Sequence, residues 1–133
     1  MRISTLLVAD AVRVRDGLLF VIGGGVSFVA APSFPMNPQA DLAIIVDVDP
    51  GEWPGELPIN VRLEQLLDDG HSAVVAGYEG TYVGHVKEPD QAALVPVSLP
   101  LTPLEFPEPG RYAIVVSVGD LPDQRLSILA RET

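Results

Sequence analysis

The feature that most restricts this chain is the spacing of its apolar residues. In segment after segment they fall at every second position. Leu42, Ile44, Val46 and Val48 share one face of an extended segment, and Tyr112, Ile114, Val116 and Val118 do the same. Ile59, Val61 and Leu63 alternate with Asn60, Arg62 and Glu64. A period of two gives a strand one buried face, and the 3.6-residue period of a helix is not met. The 12 glycines and 13 prolines among 133 residues are scattered as punctuation and never gather into a linker.

The punctuation also carries geometry. Val12 and Val14 alternate with Arg13 and Arg15 up to Asp16-Gly17, a pair suited to a tight hairpin because both turn positions need positive φ. Leu18 to Ile22 is then the returning strand. Gly23-Gly24-Gly25 permits a bulge or bend, after which Val26 to Ala31 continues as strand. Pro32 to Pro38 reads as an irregular loop crossing between sheets. Asp49-Pro50-Gly51 ends the Leu42 to Val48 strand. Asp68-Asp69-Gly70 predicts a second hairpin, returning through Ser72 to Val83. In Val95 to Thr102 the prolines 96 and 100 remove ladder donors, so this segment is an edge strand or simply extended. Leu126 to Ala130 closes the chain.

About nine short strands divided by turns predict an all-β fold. The expectation is one domain over residues 1–133, an antiparallel two-sheet sandwich, immunoglobulin-like with a jelly roll as the alternative. Thr5–Ala11 and Arg62–Asp68 also admit a helical reading, although neither has convincing caps. Tyr112 follows Pro109-Gly110 at the start of a core strand, the position of the tyrosine corner of immunoglobulin-like sandwiches.

Eight basic residues against 18 acidic ones give a net charge of −10. Nucleic-acid binding needs many phosphate contacts from Lys and Arg, and here only Arg13 and Arg15 lie close together. Anionic membrane surfaces are disfavoured for the same reason. With no cysteine, disulfides, thiolate catalysis and cysteine-based zinc sites are excluded. The apolar run Leu6 to Ala9 is too short for a secretory leader, and no stretch is long enough to span a membrane. The expected location is the cytoplasm.

The stretch Asp10 to Gly25, D-x-x-x-x-x-D-G-L-L-F-V-x-G-G-G, resembles the opening of a bacterial family of unknown function. Further similarity lies in the Leu42 to Val48 strand before Glu52-Trp53, in Ile59 to Gly70, and in the P-x-P-G-x-Y turn ending at Tyr112. The resemblance implies a compact immunoglobulin-like sandwich and no known activity, so it supplies no catalytic residues.

The residues themselves offer no catalytic or cofactor site either. The triple glycine lacks the Lys and Ser/Thr of a phosphate loop. The serines lie outside any nucleophile elbow, and His71 and His85 have no partners expected to complete a triad or a zinc site. Asp47, Asp49, Asp68 and Asp69 are the best calcium candidates, on the condition that their two loops meet at one end of the sandwich. The ordinary reading is that aspartate favours turns. Trp53 either plugs the end of the core or anchors a partner.

The more informative feature is apolarity on both faces. Leu18 to Ile22 has no polar face, and Ala43, Ile45, Ala113 and Val115 fall on outward positions. Large exposed apolar patches mark contacts. The expected function is therefore a non-enzymatic interaction or structural module, a homo-oligomer or part of a larger assembly, with Leu19, Val21, Ile45, Trp53 and Val115 at or near the contact. The opposing reading is that loops such as Pro32–Pro38 cover that face. The alternative function is a small-ligand or Ca²⁺-binding sandwich using the loop acids and Trp53.

Overall fold

A computed structural model describes all residues 1–133. Nine strands run in order: β1 (Arg2–Arg15), β2 (Leu18–Gly24), β3 (Phe28–Ala31), β4 (Asp41–Val48), β5 (Glu56–Leu66), β6 (Ser72–Val83), β7 (Ala93–Pro100), β8 (Gly110–Val118) and β9 (Gln124–Glu132). There are no helices. Both segments that admitted a helical reading are strand: Thr5–Ala11 lies in β1, and Arg62 to Leu66 ends β5. The end of β5 carries a register shift between Leu63 and Glu64, and Leu66 and Leu67 beyond it are exposed; β1 packs on both faces. Leu6 and Val8 of β1 join the main core, while Leu7 and Ala9 pack on the opposite side.

One sheet has the order β2-β1-β4-β7, the other β3-β9-β8-β5-β6. Every pairing is antiparallel except β3 with β9. The order β1-β4-β7 against β5-β8-β9 matches the A-B-E and C-F-G strands of the immunoglobulin sandwich. The fold is the immunoglobulin-like one. The chain leaves the first sheet after Gly24 and enters the second at Phe28, so the triple glycine marks a change of sheet rather than a bend within one strand. Pro32–Pro38 then carries it back to β4 in the first sheet.

The core between the sheets contains 22 buried residues, among them Leu42, Ile44, Val46, Val61, Leu63, Ile114 and Val116. These are the alternating positions of β4, β5 and β8. Tyr112 opens β8, is fully buried, and donates its hydroxyl to the Glu108 carbonyl at 2.5 Å. Its ring meets Phe106 edge-on at 4.8 Å between centroids. This is the tyrosine corner, with the hydroxyl bonding back to the loop that precedes its strand. Burial pushes the phenol pKa above its ordinary value.

β7 is an edge strand, as its prolines require. Pro96 and Pro100 occupy alternate positions of one ladder, facing Ile45 and Asp41. A strand arriving at that edge would find donors missing.

Candidate functional site

Asp16 and Gly17 both have positive φ, +53° and +73°, and close a two-residue turn between β1 and β2. That turn fixes the register: Val14 faces Leu19, Val12 faces Val21, Arg13 faces Phe20 and Arg15 faces Leu18. The hairpin therefore has one face of Val12, Val14, Leu19 and Val21, and another of Arg13, Arg15, Leu18, Phe20 and Ile22.

β1 pairs with β4 only as far as Ala9 and Asp41. Beyond that point the hairpin leaves the sheet and folds over its outer face. The Val12 amide donates to Asp41 Oδ2 at 2.9 Å, and Arg13 Nη1 lies 3.1 Å from the same oxygen. Ser98 Oγ on β7 donates to the Val12 carbonyl at 3.0 Å. Beneath this latch Ala9, Val12 and Ala43 form a second buried cluster, with Leu7 and Leu19 against it. At the hinge Gly23 has φ +65°, and a Cβ there would lie 2.6 Å from Asp10 Oδ2. Only glycine fits that position.

The outer sheet face expected to be open for contact is covered in part, and by the hairpin itself rather than by the Pro32–Pro38 loop of the opposing reading. Leu19 and Ile45 are half-buried and Ala43 is fully buried. Val21 keeps 38% of its surface exposed although it faces inward. The freely exposed residues are their neighbours: Leu18 at 62%, Phe20 at 51% and Ile22 at 69%. These three were missed in favour of Leu19 and Val21. The signal was present, because a two-residue turn at 16–17 places Leu19 and Val21 opposite the valines of β1. The opposite face then keeps the arginines and the three exposed residues.

Val115 requires a correction. It lies on the outer face of the second sheet and is fully buried. Its cross-strand neighbours are Arg62 and Arg125, whose long side chains can cover an apolar surface while their ends reach polar partners. Both meet Glu64, Arg62 Nε at 2.9 Å and Arg125 Nη2 at 3.0 Å, and Ser72 Oγ adds a third bond at 3.2 Å. Arg62 also reaches Asp123, which accepts from Ser117 as well. The bond from Arg62, then those from Arg125 and Ser72, holds the Glu64 carboxyl below its ordinary pKa despite its burial. Sequence reasoning read Arg62 and Glu64 only as a polar face and did not bring Arg125 and Asp123 to them, because that pairing needs the β5-β8-β9 register.

Trp53 sits half-buried in the loop before β5, edge-on to Tyr82 at 6.3 Å, and its Nε1 donates to the Gly84 carbonyl at 3.1 Å. It plugs the end of the core and ties two loops together. The calcium candidates do not converge. Asp47 pairs with Arg2, and Asp69 with His71. The loop of Asp49 enters β5 and the turn of Asp68 and Asp69 leaves it, so the 11-residue length of β5 separates them, roughly 35 Å. No group of three His, Asp or Glu residues is placed to hold a metal ion. His85 shares a groove lining with Lys87, Tyr82 and Asp16, and none of the four calcium candidates belongs to that lining. No helix is long and apolar enough to cross a membrane.

The strand order and the tyrosine corner define an immunoglobulin-like sandwich with an additional N-terminal hairpin. Residues 4–131 match the family model DUF6941, a family of unknown function, and the chain belongs to that family. No curated protein matches the sequence.

Proposed function

We propose that the chain is a non-enzymatic protein-interaction module of the bacterial cytoplasm that self-associates through the β1–β2 hairpin. The observation that carries this reading is the concentration of exposed apolar surface there. Val14, Leu18, Phe20, Val21 and Ile22 are five of the 13 large hydrophobic residues left exposed. Phe28, another exposed aromatic, lies under the Arg131 guanidinium at 4.2 Å. The outward face of Phe20 has no such cover.

Charge favours a second copy at this patch. Two molecules of net charge −10 repel each other over most of their surfaces. The hairpin is close to neutral, because Arg13 and Arg15 balance Asp10 and Asp16 and the strand Leu18 to Gly24 is uncharged. Pairing β2 antiparallel with its counterpart about Val21 sets Phe20 beside Ile22 of the copy and brings no like charges face to face. An isologous contact of this kind closes as a dimer.

Light scattering coupled to size exclusion tests the reading. The expected mass is that of a dimer at micromolar concentration, reduced to a monomer by Phe20→Asp or Ile22→Asp. Both positions are exposed, so the fold survives the change. A wild-type chain that stays monomeric at 100 µM overturns the proposal.

A further inference from the structure

The immunoglobulin sandwich places a further strand beside the one corresponding to β7. This chain has none, and a groove occupies the position. Its walls come from three places: Val14, Asp16 and Gly17 at the hairpin tip, Tyr82 near the end of β6 with His85, Val86 and Lys87 after it, and the start of β7. Its volume is about 670 Å³, within the range of small-molecule sites. The lining is mostly apolar, with Val14, Tyr82, Val86, Leu94 and Pro96 forming the walls.

Lys87, the sole lysine of the chain, and the imidazole of His85 open onto this space. Lys87 forms no ion pair, whereas Arg2, Arg13, Arg62 and Arg125 are each held by a carboxylate; Arg15, Arg111 and Arg131 are also unpaired, but none of them lines the groove. Asp16 is the one acid in the lining and belongs to the opposite, hairpin wall. An apolar trough with Lys87 and the N–H of His85 on one side suits a ligand with an apolar body and a single anionic end.

We infer that this groove binds a small amphiphilic anion, an alkyl or aryl carboxylate, with the carboxylate toward Lys87 and His85 and the hydrocarbon against Val14, Val86 and Leu94. The inference stands apart from self-association, since Val14 is the one exposed hydrophobic residue of the hairpin that reaches the groove, and Leu18, Phe20 and Ile22, the strip that pairs, contribute nothing to it. Trp53 supplies an intrinsic probe, because it touches Tyr82 in the groove wall and bonds the Gly84 carbonyl beside His85.

The test uses decanoate below its micellar concentration, with decyltrimethylammonium as the oppositely charged control. Trp53 fluorescence and amide chemical shifts are followed through the titration. Decanoate is expected to give a saturable change, with amide shifts confined to residues 14–17, 82–87 and 93–95. Lys87→Glu is expected to weaken binding at least tenfold, and Leu94→Asp to abolish it. Both residues are exposed, so a correct fold is checked from the unshifted core amides. The cationic control is expected to leave these residues unmoved. Any of three results overturns the inference: no saturable response, equal affinity for both amphiphiles, or shifts centred on Leu18, Phe20 and Ile22.

Discussion

Ser98 and Val12 lie 86 residues apart in sequence, yet the hydroxyl of one donates to the backbone carbonyl of the other across 3.0 Å. Together with Asp41, which accepts from the Val12 amide and from Arg13, this bond holds the hairpin against the outer face of its own sheet. The fold thereby hides Ala43 and presents Leu18, Phe20 and Ile22 to solvent instead. The latch has thermodynamic consequences separable from those of the main core.

Asp41→Ala removes an acceptor from one backbone amide and one guanidinium. The site is partly exposed, so the global cost is expected to be about 1 kcal/mol. The local effect is larger. Amides of Val12 to Val21 are expected to exchange faster by an order of magnitude, while Ile114 and Val116 in the main core keep their relative protection. Hydrogen exchange read residue by residue checks this. Uniform acceleration would mean that the hairpin and core open as one unit.

Tyr112→Phe keeps the buried ring and its edge contact with Phe106 but leaves the Glu108 carbonyl without its hydroxyl donor. The expected loss is about 1–2 kcal/mol. It should appear as a lower urea midpoint with an unchanged slope, since the surface exposed on unfolding is the same. An unchanged midpoint would show that water or another donor replaces the hydroxyl.

The architecture was legible because the core face of each strand imposes a period of two on the large apolar residues, as in Leu42 to Val48, Leu57 to Leu63 and Tyr112 to Val118. The tyrosine corner was legible because the Pro109-Gly110 turn fixes where Tyr112 must point. Two things were not. The helical reading of Thr5–Ala11 arose because β1 packs on both faces, and that of Arg62–Asp68 because a register shift between Leu63 and Glu64 breaks the alternation, with Leu66 and Leu67 beyond it exposed. The burial of Val115 was hidden because its cover comes from Arg62 and Arg125, residues 53 and 10 positions away along the chain. Outward direction on a strand does not specify exposure when a neighbouring strand contributes a long side chain.

The Glu64 network predicts an acid-sensitive contribution to stability. The folded carboxyl titrates below its ordinary value, the Arg62 bond being the largest cause, and Asp123 is lowered by Ser117 and Arg62. A depressed folded pKa makes the unfolded chain bind protons first as the pH falls. The contribution is therefore fully present above the ordinary carboxylate range and is lost as the pH falls through the folded values. Glu64→Gln is expected to lower the melting temperature at pH 7 and to have a smaller effect at pH 3. A difference between the two proteins that stays constant from pH 7 to pH 3 would show that Glu64 acts through packing alone.

Ala43→Leu addresses the hairpin from beneath. Ala43 has no exposed surface and lies against Ala9 and Val12, so a leucine requires space that the second cluster does not have. Overpacking a well-filled site costs about 1–3 kcal/mol. The main core cannot yield, because Leu42 and Ile44 on either side face it directly. The hairpin can, since beyond Ala9 it is held to the sheet by the Asp41 and Ser98 bonds and the small apolar cluster. The expected result is a lifted hairpin, with faster exchange from Val12 to Val21, new proteolytic sensitivity at Asp16-Gly17 and weaker self-association through a strip no longer held in place. An Ala43→Leu protein with wild-type exchange and wild-type mass would show that the hairpin does not sit on Ala43 in solution.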